Sequence, residues 1–164
     1  GGTAANENDD SWTPQINLGM SVLIPEDYVQ DLGLRLNLYR RAADLKTRDE
    51  IESFAAELID RFGPLPQEVK NLMQLVEIKQ FCMTAGIEKL DAGPKGAVVA
   101  FRANRFANPE GLVALISAEK NAAKLRPDHK LVFRREWYVP EKRIGGLQAL
   151  VKQLAEVALK KKAA

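Results

Sequence analysis

The chain is poor in the side chains that do chemistry. Its 164 residues include one cysteine and one histidine. With Cys82 alone no internal disulfide can form. That suits a reducing cytosol and makes a cytoplasmic location the expectation. Zinc needs clustered Cys and His, and there is no cluster. Nucleophilic catalysis needs a base beside a Ser, Cys or Thr. The lone His129 sits in the turn-like run Pro127-Asp128-His129-Lys130, where a solvated histidine is the ordinary reading. Cys82 lies between Phe81 and Met83 in a helical stretch, where packing is expected rather than reactivity. No glycine run leads to Gly-Lys-Ser/Thr. Gly93-Pro94-Lys95-Gly96 resembles a phosphate loop only superficially, because proline removes an N–H donor. Gly145-Gly146 reads as a loose turn or a helix contact. Catalytic, metal and cofactor sites are therefore all expected to be absent from this chain.

Long apolar runs are missing too. None approaches the roughly 20 residues that span a bilayer. The stretch Gly1 to Ser11 is small and acidic, without the basic and apolar regions of a signal peptide. Gly1-Gly2 reads as a cloning scar or the end of a linker. Residues 1–14 are expected to form a disordered linker or tag remnant.

What is present is a core. Hydrophobic residues make up 46% of the chain, enough for one packed domain. The net charge of +2 conceals an asymmetry. Up to Gly63 there are 6 basic and 12 acidic residues, and from Pro64 onward 18 basic and 10 acidic. An acidic face and a basic face follow, and either could dock a charged partner.

Periodicity then divides the chain. Ile16 to Ile24 alternates like a strand and stops at Pro25. Asp31 is positioned to cap a helix to about Leu45, with Leu32, Leu36, Tyr39 and Ala43 in one stripe. Thr47-Arg48-Asp49-Glu50 fits a capping box, in which Thr47 and Glu50 satisfy each other's backbone N–H groups. Ile51, Phe54, Ala55, Leu58, Ile59 and Phe62 follow at helical spacing as one buried face, with Leu58 near its centre. Gly63 and Pro64 end that helix. Pro66 starts a third, which runs to about Ala85 with Val69, Leu72, Met73, Val76 and Met83 inward. Ile87 to Leu90 and Ala97 to Arg102 are short strands around a turn. Asn108-Pro109-Glu110 opens a helix to about Lys120, and Lys130 to Arg135 is another strand. Pro140 precedes a last helix with Ile144, Leu147, Val151, Leu154 and Ala158 on one side. The predicted class is α+β: a helical cluster, then a small mixed or antiparallel sheet with further helices, in a single domain over residues 15–159. Residues 160–164 are a basic tail.

Two surfaces compete for a function. The basic one comprises Arg102, Arg105, Lys120, Lys124, Arg126, Arg134, Arg135, Lys142 and Arg143, near Phe101, Phe106, Phe133, Trp137 and Tyr138. Acids are interspersed and no nucleic-acid-binding motif appears, so a solvated basic face is favoured over a nucleic-acid footprint. The acidic one lies on the second helix. Glu50, Glu57, Asp60 and Arg61 fall opposite or beside the apolar arc. By spacing alone Glu57 and Arg61 make an ordinary i, i+4 pair. Asp60 has no such partner, because Pro64 occupies i+4. Glu57 and Asp60 are expected to face solvent, and carboxylates at i, i+3 suit an incoming arginine fork.

Three segments carry a resemblance: Ile24-Pro25-Glu26-Asp27-Tyr28, Arg35-Leu36-Asn37-Leu38-Tyr39-Arg40-Arg41 and Glu57-Leu58-Ile59-Asp60-Arg61-Phe62-Gly63-Pro64-Leu65-Pro66. Over about residues 15 to 155 the sequence resembles the C-terminal domain of bacterial transcription-repair coupling factors. The resemblance implies a regulatory, non-catalytic domain of an ATP-driven double-stranded DNA translocase that engages RNA polymerase. ATP would belong to the motor domains of the parent protein. The implied partner is the N-terminal module that recruits the damage-recognition ATPase of nucleotide excision repair. The implied interdomain contact maps onto Glu57, Asp60 and Arg61, facing arginines of that module. No membrane is implied, and a monomer is expected of the isolated domain. An accessory DNA-binding domain using the basic half is the alternative.

Overall fold

The computed structural model describes residues 12–163. The expected disordered segment lies outside the described residues up to position 11. From Trp12 onward the chain is placed, and the Trp12 ring stacks 4.5 Å from the guanidinium carbon of Arg102. Strand β1 is Gln15–Asn17. Helices α1 (Leu32–Ala43), α2 (Arg48–Phe62) and α3 (Gln67–Ala85) follow, then strands β2 (Ile87–Gly93) and β3 (Gly96–Phe101). Helix α4 (Pro109–Ala118), strands β4 (Ala123–Leu125) and β5 (Leu131–Arg134), and helix α5 (Pro140–Ala163) complete the chain. The fold is a single α+β domain with a five-stranded mixed sheet of order β1-β2-β3-β5-β4. The pair β1–β2 is parallel and the other pairs are antiparallel.

The caps act where the sequence places them. The Asp31 carboxylate accepts from Leu34 N at 2.8 Å, and Thr47 Oγ1 accepts from Glu50 N at 3.1 Å. The return bond of the capping box shifts by one residue: Lys46 N, not Thr47 N, donates to Glu50 Oε1 at 2.7 Å. Gly63 closes α2 at φ +94° and ψ −171°, outside the left-handed helical region but still a backbone that favours glycine. At the β2–β3 hairpin, Gly96 has φ +134°, and a Cβ there would lie 1.9 Å from Phe133 O. Only glycine lets β3 and β5 pair at that point.

Two cores meet on α3. One lies among the helices: Leu38, Ala42, Ile51, Phe54 and Leu58 pack with Val69, Leu72, Met73 and Val76 of α3. The other lies between sheet and helices, where Ile78, Cys82 and Ala85 of α3 meet Leu90, Val99, Phe133, Leu147 and Leu154. The last helix buries Ile144, Leu147, Val151, Leu154 and Ala158, as its periodicity predicts. Burial pushes the Cys82 thiol up to about 12, which leaves it protonated and inert.

Several expectations are corrected. The predicted first strand, Ile16 to Ile24, covers only three residues as β1. Gly19 turns the chain at φ +64°, and beyond it Ile24 is buried in the helical core while Leu23 is exposed. The stripe on α1 is Leu34, Leu38 and Ala42, whereas Leu32 and Leu36 are exposed. Its leucines stand at every second position, so both stripes satisfy helical spacing. Ile59 and Met83, expected inward, are also exposed, because each lies at the margin of its apolar arc. Strand β4 has only three residues, Ala123-Lys124-Leu125, too few for a periodic signal, and is defined by its pairing with β5.

Candidate functional site

Helix α2 presents its apolar arc to α1 and α3, and its other side carries the predicted site. Leu58 is fully buried, so Asp60, about 200° further round the helix, points outward. Asp60 is exposed, and among the described residues it makes no ion pair. Glu57 differs from expectation. Its side chain retains 35% exposure and is held by two arginines. Arg41 of α1 donates through Nη2 to Oε1 at 2.6 Å and through Nη1 to Oε2 at 2.7 Å. Arg61 Nη1 donates to Oε2 at 2.8 Å.

The Glu57–Arg61 pair is thus present, as i, i+4 spacing requires, but the bidentate partner comes from another helix. No arithmetic within α2 could reveal it. Both guanidinium groups also rest on aromatic rings: Arg41 lies 5.0 Å from the Phe54 centroid and Arg61 4.9 Å from that of Phe62. Stacking and pairing fix the two cations in place. The result is a hydrogen-bonded strip, Arg41–Glu57–Arg61, with the open Asp60 carboxylate at its edge. Beside it a hollow of about 310 Å³ is lined by Asp49, Glu50, Ser53 and Glu57 together with Arg41, Leu45 and Phe54. Glu50, counted in the acidic stripe, is engaged in capping.

Arg41 first, and then Arg61, hold the Glu57 carboxyl down from 4.5 to about 2. A depressed carboxylate contributes stability above its unfolded value, and that contribution is lost as pH falls through the folded one. The loss therefore falls between about pH 4.5 and 2. Glu57→Gln should lower thermal stability at pH 7, and its difference from wild type should shrink as pH falls from about 4.5 to 2, which flattens the acid limb. An unchanged acid limb would show that the two arginines do not hold Glu57 in solution.

The segments that carry the resemblance turn out to be bonded together. Tyr28 donates its hydroxyl to Gly63 O at 2.8 Å and Leu58 O at 3.1 Å, and its ring lies 5.7 Å from that of Phe62. Ile24 N donates to the Tyr39 hydroxyl at 2.6 Å. Arg35 Nη1 donates to Val29 O and Gln30 O at 2.7 and 2.9 Å. These polar and aromatic residues fasten the loop before α1 to the end of α2 and so position the charged strip.

The basic surface does not assemble as predicted. Arg143 is buried, and Phe101, Phe133 and Trp137 belong to the core, so none can meet a nucleic acid. Arg135 pairs with Glu119 at 3.0 Å and Arg126 with Asp128 at 2.8 Å. His129 sits in the β4–β5 turn at φ +69°. Gly146, as a helix-contact reading of Gly145-Gly146 requires, lies so near Trp137 that a Cβ would stand 2.6 Å from its Nε1. Among the described residues no group of three or more His, Cys, Asp or Glu is placed to hold a metal ion. No helix there is long and apolar enough to cross a membrane.

Fold and site define a class of protein: a small α+β domain with an ion-paired, charged helix face. Comparison makes the class specific. The TRCF domain model matches residues 18–112. The transcription-repair-coupling factor of Rickettsia bellii (strain RML369-C) is 46% identical over 120 residues, 73% of this chain and 11% of that protein. That of Escherichia coli (strain K12) is 32% identical over 145 residues, 88% of this chain and 13% of that protein. A crystal structure of the C-terminal domain of transcription-repair coupling factor superposes with a TM-score of 0.75 at 18% identity. The match covers 91% of this chain and 96% of that one, and it shows the shared fold. The chain belongs to the TRCF domain family. It spans 11–13% of the length of these curated relatives.

Proposed function

We propose that this chain is a non-catalytic regulatory domain of a transcription-repair coupling factor, a protein that works with RNA polymerase and double-stranded DNA. In this reading it docks on the N-terminal module that recruits the damage-recognition ATPase of nucleotide excision repair. Docking keeps the recruitment surface covered until the motor engages polymerase. The observation that carries the reading is the open Asp60 carboxylate at the edge of a pre-organised Glu57–Arg61 pair.

The chemistry fits a contact that must open. Asp60 has both oxygens free for an arginine fork. Glu57, already clamped by Arg41, orients Arg61 and adds negative potential rather than a second open acceptor. A polar contact of this size matches the 1–3 kcal/mol of a typical coupling between sites. Joining both modules on one chain raises their effective concentration, so weak intrinsic affinity suffices.

The test is capture of the damage-recognition ATPase by the resting full-length factor, wild type against Asp60→Ala and Glu57→Ala/Asp60→Ala. Capture should rise about 5- to 150-fold, with Asp60→Ala giving most of the gain. Equal capture by folded variants would refute the docking role.

A further inference from the structure

The helices of this domain cover one face of its sheet. Ala97, Val99 and Phe101 of β3 and Leu131 and Phe133 of β5 point into the core beneath α3 and α5. Every alternate residue must then point the other way, and among the described residues no α-helix contributes to the lining of that side's depression. The strand register defines what is there. Asp91, Val98, Val132 and Lys124 are successive cross-strand neighbours, one from each of β2, β3, β5 and β4. Lys89 pairs with Ala100 in the next row, and Gly96 with Arg134 on the other side. A bulge at Glu88 sets this arrangement. The one extra residue between Ile87 and Lys89 keeps both Ile87 and Leu90 in the core and turns Lys89 outward.

The centre of the bare face is apolar and half-buried: Val98, Ala100 and Val132. Towards the hairpin tip it deepens into an open depression of about 860 Å³, where Lys95, Arg134 and Tyr138 form part of the rim. The chain leaving β5 builds that rim by crossing the tip: Arg135 N donates to Lys95 O at 2.9 Å and Trp137 N to Pro94 O at 2.8 Å. Tyr138 stands out at the edge with 63% exposure. Around the apolar centre the charges are mainly positive. Lys89, Lys95, Lys124 and Arg134 make no ion pair among the described residues, against the acids Asp91 and Glu136. Arg135 is already neutralised by Glu119.

We infer that the uncovered sheet face is a second docking surface, which takes a protein segment carrying small apolar side chains flanked by carboxylates. An apolar centre ringed by unpaired cations is complementary to that chemistry. It is less suited to a nucleic acid, because its centre is aliphatic and, among the described residues lining the depression, Tyr138 at the edge is the one exposed ring a base could stack on. The surface lies on the sheet, whereas Asp60 and the charged strip lie on α2, so the two sites are independent and can be occupied by different partners.

The probe is a fluorescein-labelled 12-residue peptide of alternating Glu and Val, titrated against the whole chain at low salt and followed by anisotropy and amide chemical shifts. It should bind and shift the resonances of Val98 and Val132, while leaving those of Glu57 and Asp60 in place. A Lys-Val peptide of the same length should not bind. Lys124→Glu/Arg134→Glu, which changes only exposed side chains, should weaken binding tenfold or more. Val132→Glu should abolish it, and the charge reversal keeps the test valid if that variant unfolds. The inference fails if the acidic peptide leaves Val98 and Val132 unshifted, or if a single-stranded or duplex DNA oligonucleotide takes this face more tightly. Asp60→Ala should leave peptide binding unchanged, so either site can fail without the other.

Discussion

Leu58→Ala should lower the stability of the chain by about 2–5 kcal/mol. Leu58 is fully buried in the helical core, between Phe54 of its own helix and residues of α1 and α3. Truncation removes apolar contact and leaves a cavity that Phe54, Val69 and Leu72 cannot close without moving. The control is its neighbour. Ile59, 49% exposed, should cost within about 0.5 kcal/mol as Ile59→Ala. Urea midpoints read at constant slope separate the two. A larger loss from Ile59→Ala would mean that α2 is rotated, and Asp60 would then not face outward. The prediction therefore tests the site as well as the core. Because Tyr28 bonds the carbonyl of Leu58 rather than its side chain, the loop anchor survives the substitution, and the measured loss belongs to packing.

How far the sequence reveals this molecule depends on where each element draws its stability. Helices α2 and α5 carry long apolar arcs with clear starts, and both appear where periodicity puts them. Helix α1 is legible as a helix but not in its orientation, since leucines at 32, 34, 36 and 38 support two faces equally. Contacts with α3 and the Tyr39 hydroxyl decide between them. Strand β4 is held by three residues of pairing with β5, a non-local term with no local signature.

The charged site divides in the same way. The Glu57–Arg61 pair and the outward Asp60 follow from 100° per residue. The Arg41 fork does not, because it joins positions 16 residues apart on different helices. Arg143 is the sharpest case. In the sequence it is one cation among many beyond Pro64, and only tertiary structure shows that it is internal.

That internal arginine should be the second large effect. Arg143 is 4% exposed and makes no ion pair among the described residues. Its charge is solvated by backbone instead. Nε donates to Trp137 O at 3.0 Å, and Nη1 donates to Leu18 O at 3.0 Å and Gly19 O at 2.9 Å. These three carbonyls belong to the two segments that α5 must hold: the turn where the chain leaves the sheet for the helical lobe, and the crossing beneath the hairpin tip. Arg143→Met keeps much of the stem but strands the carbonyls. Hydrogen bonds to a charged donor contribute about 1.5–3 kcal/mol each. Burying the charge costs several kcal/mol in the other direction. The net loss should be about 3 kcal/mol, against less than about 0.5 kcal/mol for Lys142→Met on the exposed side. Arg143→Lys should recover less than half, because one ammonium cannot reproduce a fork that reaches two segments. In hydrogen exchange the loss should appear first at Gly19 to Val22 and at Trp137. Unchanged protection there, with an unchanged urea midpoint, would mean that Arg143 reaches solvent and belongs to the basic surface after all.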